Sequence, residues 1–300
     1  MNKIALITDS TCGLPKEYIN EYDVKVVPLK ILYKDKEFID GINITPEEVY
    51  SKLPKELPTT SMPSVDDITS LYNELIKEGY TQAIVLPVSS GLSGTINSFK
   101  LASEEFKDKI NTFIFDTKIL SMAVGLIVIE VGKMIKKKMN FEDICNTIPK
   151  LRENLWMYFT VDTLEYLIKG GRIGKVTGGI GKILNLKPII TMDDNGSYTN
   201  YTKVRGSKQA FKKLLDLSTD ILNKGKGKVI IMTGTMHEEA EKLKEILSSH
   251  ENTTFIYKGT ITPAVGIHSG PRLLAVAVMS EISGPPVKRV VCSTPIRLCY

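Results

Sequence analysis

The 300-residue sequence predicts an α/β protein in which a helix-covered parallel sheet is followed by a second α/β domain. Three observations carry that reading. Short β-rich runs alternate with helical ones through the first half, the pattern of parallel strands joined by helical crossovers. Near Asn154 the alternation gives way to glycine-rich turns and a hairpin signal, Ile189 to Met192, then Asp194-Asn195-Gly196, then Tyr198 to Val204. The length is itself about twice that of a common single domain. The expected division is 1–154 for the first domain, 155–283 for the second, and 284–300 for an atypical tail that begins at Gly284-Pro285-Pro286.

In order, the apolar run Lys3 to Thr8 reads as the first strand and Val24 to Leu32 as the second. Val65, Ile68, Leu71, Tyr72, Leu75 and Ile76 then recur at helical spacing, and Ser64 with Asp67 three residues on forms a capping box for that helix. Gln82 to Val88 is a third strand. After the turn at 91–95, Ile96, Phe99, Ala102 and Phe106 repeat the helical spacing, and Thr112 to Asp116 supplies a fourth strand. A longer helix runs from Leu120 to Lys136; its apolar stretch Met122 to Ile129 is too short for a bilayer span and is interrupted by Gly125. The second half continues with helices at Ser207 to Leu222 and Glu238 to Leu247, and strands at Lys228 to Met232, Thr254 to Tyr257 and Leu273 to Met279.

Composition excludes several function classes. Hydrophobic residues at 42% and charged residues at 24% are those of an ordinary globular chain. A net charge of +5 is mild, and Lys136-Lys137-Lys138 reads as a solvated helix end, so nucleic-acid binding is not expected. Met1-Asn2-Lys3 leads straight into a strand with no secretory h-region, which predicts a cytoplasmic protein. Cys12, Cys145, Cys292 and Cys299 form no C-x-x-C and read as free thiols. No G-x-G-x-x-G follows a strand, and Gly174-Lys175 and Gly181-Lys182 lack the rest of a phosphate-binding loop. Neither a nucleotide cofactor nor a metal is therefore expected.

Five loops carry candidate chemistry. Ser89-Ser90-Gly91-Leu92-Ser93-Gly94-Thr95 leaves a strand and opens a helix, where N–H and hydroxyl donors either hold an anion or merely cap the helix. Pro58-Thr59-Thr60-Ser61-Met62-Pro63-Ser64 is a second hydroxyl-rich loop before a helix, either a ligand loop or a Pro-bounded connector ending in the Ser64 cap. Ligands of open α/β sheets bind beyond the carboxyl ends of the strands, which would bring Thr60 and Ser93 together. Thr8-Asp9-Ser10 ends the first strand, and Asp9 either orients hydroxyls at this rim or caps the next segment. Gly170-Gly171-Arg172-Ile173-Gly174 sets a guanidinium in a glycine turn, suited to an anion or a partner surface. Gly266-Ile267-His268-Ser269-Gly270-Pro271 places one of three histidines in a tight loop between two strands.

Taken in order, Thr8-Asp9-Ser10, Thr60-Ser61-Met62-Pro63-Ser64, Ser90 to Thr95, Asp116-Thr117, Gly171-Arg172-Ile173-Gly174, Lys187-Pro188-Ile189 and His268-Ser269-Gly270-Pro271 resemble the motif series of the DegV family. The resemblance spans residues 1 to about 279. It implies a Rossmann-like first domain, a second domain on a mainly antiparallel sheet, and a long-chain fatty acid such as palmitate buried between them. It also implies that Thr60 and Ser93 hold the carboxylate, with His268 beside it, Ser61 and Gly94 adjoining, and Asp9, Ser10, Thr95 and Arg172 supporting the site or facing a partner. Members serve as the non-catalytic fatty-acid-binding subunit of a bacterial fatty acid kinase, presenting the carboxylate to a separate ATP-using subunit, with transient contact at a membrane surface. One departure is Arg272, which stands where the family has Gly; set near His268, it would couple to that imidazole. The competing reading is a serine hydrolase with Ser93, Asp116 or Asp193, and His268, although Gly91 to Thr95 misses the last glycine of a nucleophile elbow.

Overall fold

A computed structural model of the chain describes residues 3–53, 55–176 and 185–281; the expected tail at 284–300 lies outside them. The first half runs β1 (Lys3–Asp9), a one-turn 3-10 helix at Ser10–Cys12, α1 (Lys16–Glu21), β2 (Val24–Val27), β3 (Lys30–Leu32), β4 (Glu37–Ile39) and α2 (Pro46–Lys52). It continues with β5 (Thr59–Ser61), α3 (Val65–Lys77), β6 (Tyr80–Leu86), α4 (Thr95–Glu104), β7 (Asn111–Ile114), α5 (Met122–Lys136) and α6 (Phe141–Glu153). The second half runs β8 (Leu155–Val161), α7 (Glu165–Lys169), β9 (Leu186–Met192), β10 (Tyr198–Arg205), α8 (Ser207–Leu222) and β11 (Gly227–Thr233). It closes with α9 (His237–Ser248), β12 (Thr253–Thr260), α10 (Pro263–Ser269) and β13 (Leu273–Ser280).

The expected fold class is the one observed. A four-stranded parallel sheet has the order β2-β1-β6-β7, and a six-stranded sheet has the order β10-β9-β8-β13-β11-β12, antiparallel except where β11 meets β12. Strand alternation divides the parallel sheet cleanly. Ala5, Ile7, Ala83 and Val85 face α3 and α4, where Ile68, Tyr72, Leu75 and Phe99 are buried. Leu6, Ile84 and Leu86 face the other way, onto α5. The capping box at the start of α3 forms as read, with Asp67 N–H on Ser64 Oγ at 3.1 Å.

α5 explains its own composition. From Met122 to Val131 nearly every side chain is buried, because one face meets the parallel sheet and the other meets Met157, Phe159, Ile230 and Ala277 of the six-stranded sheet. A helix apolar on all sides is a buried one. The outer face of the six-stranded sheet is covered by α8 and α9 through Leu214, Leu217, Leu243 and Leu247.

Three local expectations are corrected. The run Val24 to Leu32 is two strands in two sheets: β2 pairs with β1, whereas β3 belongs to a small antiparallel sheet of order β4-β3-β5. Thr59–Ser61, read as loop, is the edge strand β5 of that sheet. His268, read as sitting in a loop, is on α10, whose first position is Pro263, the place where a missing N–H costs nothing.

Candidate functional site

The loops expected to converge do so, beyond the carboxyl ends of β1 and β6. Asp9, fully buried at the end of β1, accepts from Val88 N–H at 2.7 Å and from Thr11 N–H at 3.0 Å, which locks the β6–α4 loop to the first strand. Burial pushes its carboxyl pKa up, opposed by those hydrogen bonds. Ser89 donates to the Gly196 carbonyl at 2.7 Å, so the β9–β10 hairpin tip is seated on the same loop. A Cβ on Gly91 would lie 2.5 Å from that Gly196 carbonyl group, a contact that backbone cannot yield to cheaply.

Ser93 then stands at the head of α4, its Oγ 2.8 Å from Thr95 Oγ1. Thr60, in the middle of β5, faces it across a cavity and shares a hydrogen bond of 2.7 Å with His268 Nε2. Arg172 completes the ring: its Nε donates to the Leu92 carbonyl at 3.3 Å, and its Nη1 to the Gly170 carbonyl at 2.5 Å. Thr60, Ser93, Arg172 and His268 thus line one small cavity with Thr11. Ser61 and Gly94 do not join it. Alternation along β5 turns Ser61 away, and its hydroxyl meets the Met62 carbonyl at 3.2 Å.

An apolar cavity adjoins this one. The two share Leu120, Tyr198 and Val265, and the second runs between the end of α5 and the six-stranded sheet, lined by Met157, Phe159, Met232 and Leu273. Their free volumes are about 50 Å³ at the polar end and about 30 Å³ at the apolar end. A larger groove of about 710 Å³ lies at the opposite edge of the parallel sheet. There Lys3, Lys136 and Lys138 are interspersed with Glu21, Asp23 and Glu142.

Electrostatics distinguish His268 from Arg172. Burial first, and the Arg172 guanidinium second, push His268 down to about 4, so the imidazole is neutral at pH 7. Its Nδ1 is buried with no hydrogen-bond partner and packs on Gly170. Arg172 therefore carries the positive charge of the site. We expect Gly170→Ala to cost about 1–3 kcal/mol of stability by denaturant titration, because its Cβ would lie 2.3 Å from His268 Nδ1 and 3.0 Å from the Tyr166 carbonyl oxygen.

Asp40 is the residue the sequence reading missed. Although only 1% exposed, it accepts from Ser10 Oγ at 2.6 Å and from Ala264 N–H at 2.8 Å, and Ser10 Oγ in turn accepts from Leu29 N–H at 3.0 Å. One carboxylate thereby ties the end of β1, the small sheet and the first turn of α10, the helix that carries His268. The dipeptide Asp40-Gly41 gave no signal beyond a turn.

Arg272 is not near His268. It pairs with Asp162, which also accepts from Lys187 Nζ at 2.9 Å, just past the end of β8. The hydrolase triad is not assembled either. His268 is bonded to Thr60 and not to Ser93; Asp116 accepts from Ser90 and from Lys118 N–H, and Asp193 pairs with Lys175. Among the described residues no group of three His, Cys, Asp or Glu side chains converges as metal ligands, and no helix is long and apolar enough to cross a membrane.

Comparison with known proteins agrees with this architecture over its whole described length. A DegV domain-containing protein of Clostridium acetobutylicum is 47% identical over 281 residues, covering 94% of this chain and all of that one. A DegV family protein from Thermus thermophilus, described by its fatty acid binding, superposes with a TM-score of 0.87 at 28% identity, over 93% of this chain and 99% of that one. A stearic acid-binding protein from Eubacterium ventriosum superposes with a TM-score of 0.82 at 27% identity, over 93% and 98%. The model of the family described as "Uncharacterised protein, DegV family" matches residues 3–281. With the ordered motifs, the two sheets and a match that leaves out almost none of the chain before residue 281, this protein belongs to the DegV family.

Proposed function

We propose that this protein binds one long-chain fatty acid, its carboxylate held by Thr60, Ser93 and His268 beside Arg172 and its tail in the apolar cavity between α5 and the six-stranded sheet. The observation that carries this reading is the adjacency of the two cavities, which share Leu120, Tyr198 and Val265 in their walls: a polar cavity with a cation lies directly against an apolar one. The solved relatives from Thermus thermophilus and Eubacterium ventriosum, known for binding fatty acids, support it. A sixteen-carbon tail buries about fifteen methylenes at ~0.8 kcal/mol each, roughly 12 kcal/mol gross, so the tail supplies affinity and the head group orientation. Ligand sites commonly enclose roughly 300–1,000 Å³. Seating a long chain therefore requires the cavity lining to give way, and Met157 and Met232 are unbranched side chains suited to doing so.

Among the described residues the site contains donors and a cation but no assembled nucleophile–base pair. It fits a subunit that presents a carboxylate to a separate ATP-using kinase in the cytoplasm, which would form the acyl phosphate. Native mass spectrometry of the purified protein tests the first half of the reading: one bound fatty acid is expected, and recovery with none, and none taken up on addition, would end it. The second half is tested with a cognate kinase subunit and ATP, where Arg172→Glu should lower acyl-phosphate formation. In double-mutant cycles read by fatty-acid affinity, His268 and Arg172 should couple by more than ~0.5 kcal/mol. His268 and Arg272, which face different surroundings, should be additive.

A further inference from the structure

The tail cavity is not wholly apolar. Ser121 lies in its wall at the head of α5, next to Leu120, which the polar and apolar cavities share. It is 8% exposed, and its Oγ is buried with no hydrogen-bond partner. Nor does that hydroxyl cap the helix it precedes. Its backbone, at φ 57° and ψ −156°, occupies a region that side chains other than glycine's rarely enter, so the fold holds it there against local preference. The next two residues, Met122 and Ala123, are 0% and 2% exposed, and the first N–H groups of a helix have no acceptor within it.

A methylene tail passing this point leaves the hydroxyl unpaired, which is costly in a buried place. An oxygen on the tail would pair with it, and the positive end of α5 favours that oxygen further. We infer that Ser121 and the head of α5 form a second polar site inside the tail cavity, selecting acyl chains that bear a hydroxyl or oxo oxygen on a carbon near the carboxyl end. This rests on the fatty-acid reading above and specifies which fatty acids that site prefers. The position is near the carboxyl end because Ser121 adjoins Leu120, which lines both the head cavity and the tail cavity.

The test is competition binding to the delipidated protein with hexadecanoic acid and a series of its monohydroxylated positional isomers. In the parent, one isomer with its hydroxyl near the carboxyl group should bind about fivefold tighter than the plain acid, the worth of one hydrogen bond to a buried group. Ser121→Ala removes no observed hydrogen bond and keeps the Cβ, so it should fold. It should gain on the plain acid and lose on that isomer until the preference disappears. Ser93→Ala, by contrast, should weaken every member of the series alike. A plain acid that outcompetes every isomer in the parent, or a preference that survives in Ser121→Ala, overturns the inference while leaving the head-group site standing. Failure of hexadecanoic acid itself to bind the parent would overturn the underlying reading, and this one with it.

Discussion

The double variant Thr60→Ala/Ser93→Ala is expected to bind a long-chain fatty acid at least ~10²-fold more weakly than the parent, with its fold intact. In the proposed reading each hydroxyl donates to a buried carboxylate, worth about 1–3 kcal/mol, and the two line the same cavity, from β5 and from the turn before α4. The single variants should not add perfectly, since residues sharing one ligand group couple. Thr60 also shares its hydrogen bond with His268 Nε2, so its loss frees that nitrogen. Isothermal titration with hexadecanoic acid measures all three. Affinities within about threefold of the parent for the double variant would remove the head group from this cavity.

Asp40→Ala should produce the largest loss of stability, about 2–4 kcal/mol by denaturant titration at pH 7, because Ser10 Oγ and Ala264 N–H lose a buried acceptor. It should weaken ligand binding as well, since the first turn of α10, the helix that carries His268, is released. Asp40→Asn keeps the shape and removes the charge, so it should recover most of that loss. Burial holds the Asp40 carboxyl up at about 6 from 3.8, with Asp9 a smaller contributor. The folded protein therefore binds a proton at Asp40 more readily than the unfolded chain does, and this group makes stability fall as pH rises from about 4 to about 6. His268 acts in the opposite sense. Its folded pKa of about 4 lies below 6.5, so the unfolded chain binds the proton more readily and stability rises with pH over that window. The two slopes oppose each other in the parent. Relative to the parent, Asp40→Asn should tilt the profile upward with rising pH and His268→Gln should tilt it downward; identical profiles in all three proteins would refute both assignments.

Much of this could be read from the chain because the informative signals were local. The parallel strands, α3 with its Ser64 cap, and the Asp194-Asn195-Gly196 hairpin each depend on residues within a few positions of one another. The small sheet could not be read so. Its strands have three residues each, too few to show alternation, and β5 is held by pairing with Ile31, nearly thirty residues earlier in the chain. α10 was obscured by Gly266 and Gly270, which suggest a loop. Only Pro263, following a β-branched Thr262, carries the helix-start signal. The roles of Arg172 and Arg272 were beyond sequence. Both follow glycine- or proline-bearing turns, and only their partners, Leu92 for one and Asp162 for the other, tell them apart.

The placement of α5 bears on how the molecule comes apart. Its two apolar faces are shared by sheets from opposite halves of the chain, and the core around Leu6, Leu86, Val128, Phe159 and Ile230 is continuous from one to the other. Melting of either sheet alone would strip one side of this helix to water and forfeit the burial on which the other sheet also depends. The halves are thus expected to unfold as one cooperative unit, although their strand patterns are separate. A ligand lodged beside this helix adds its binding energy to both halves at once, so occupancy is registered as resistance of the whole chain to unfolding.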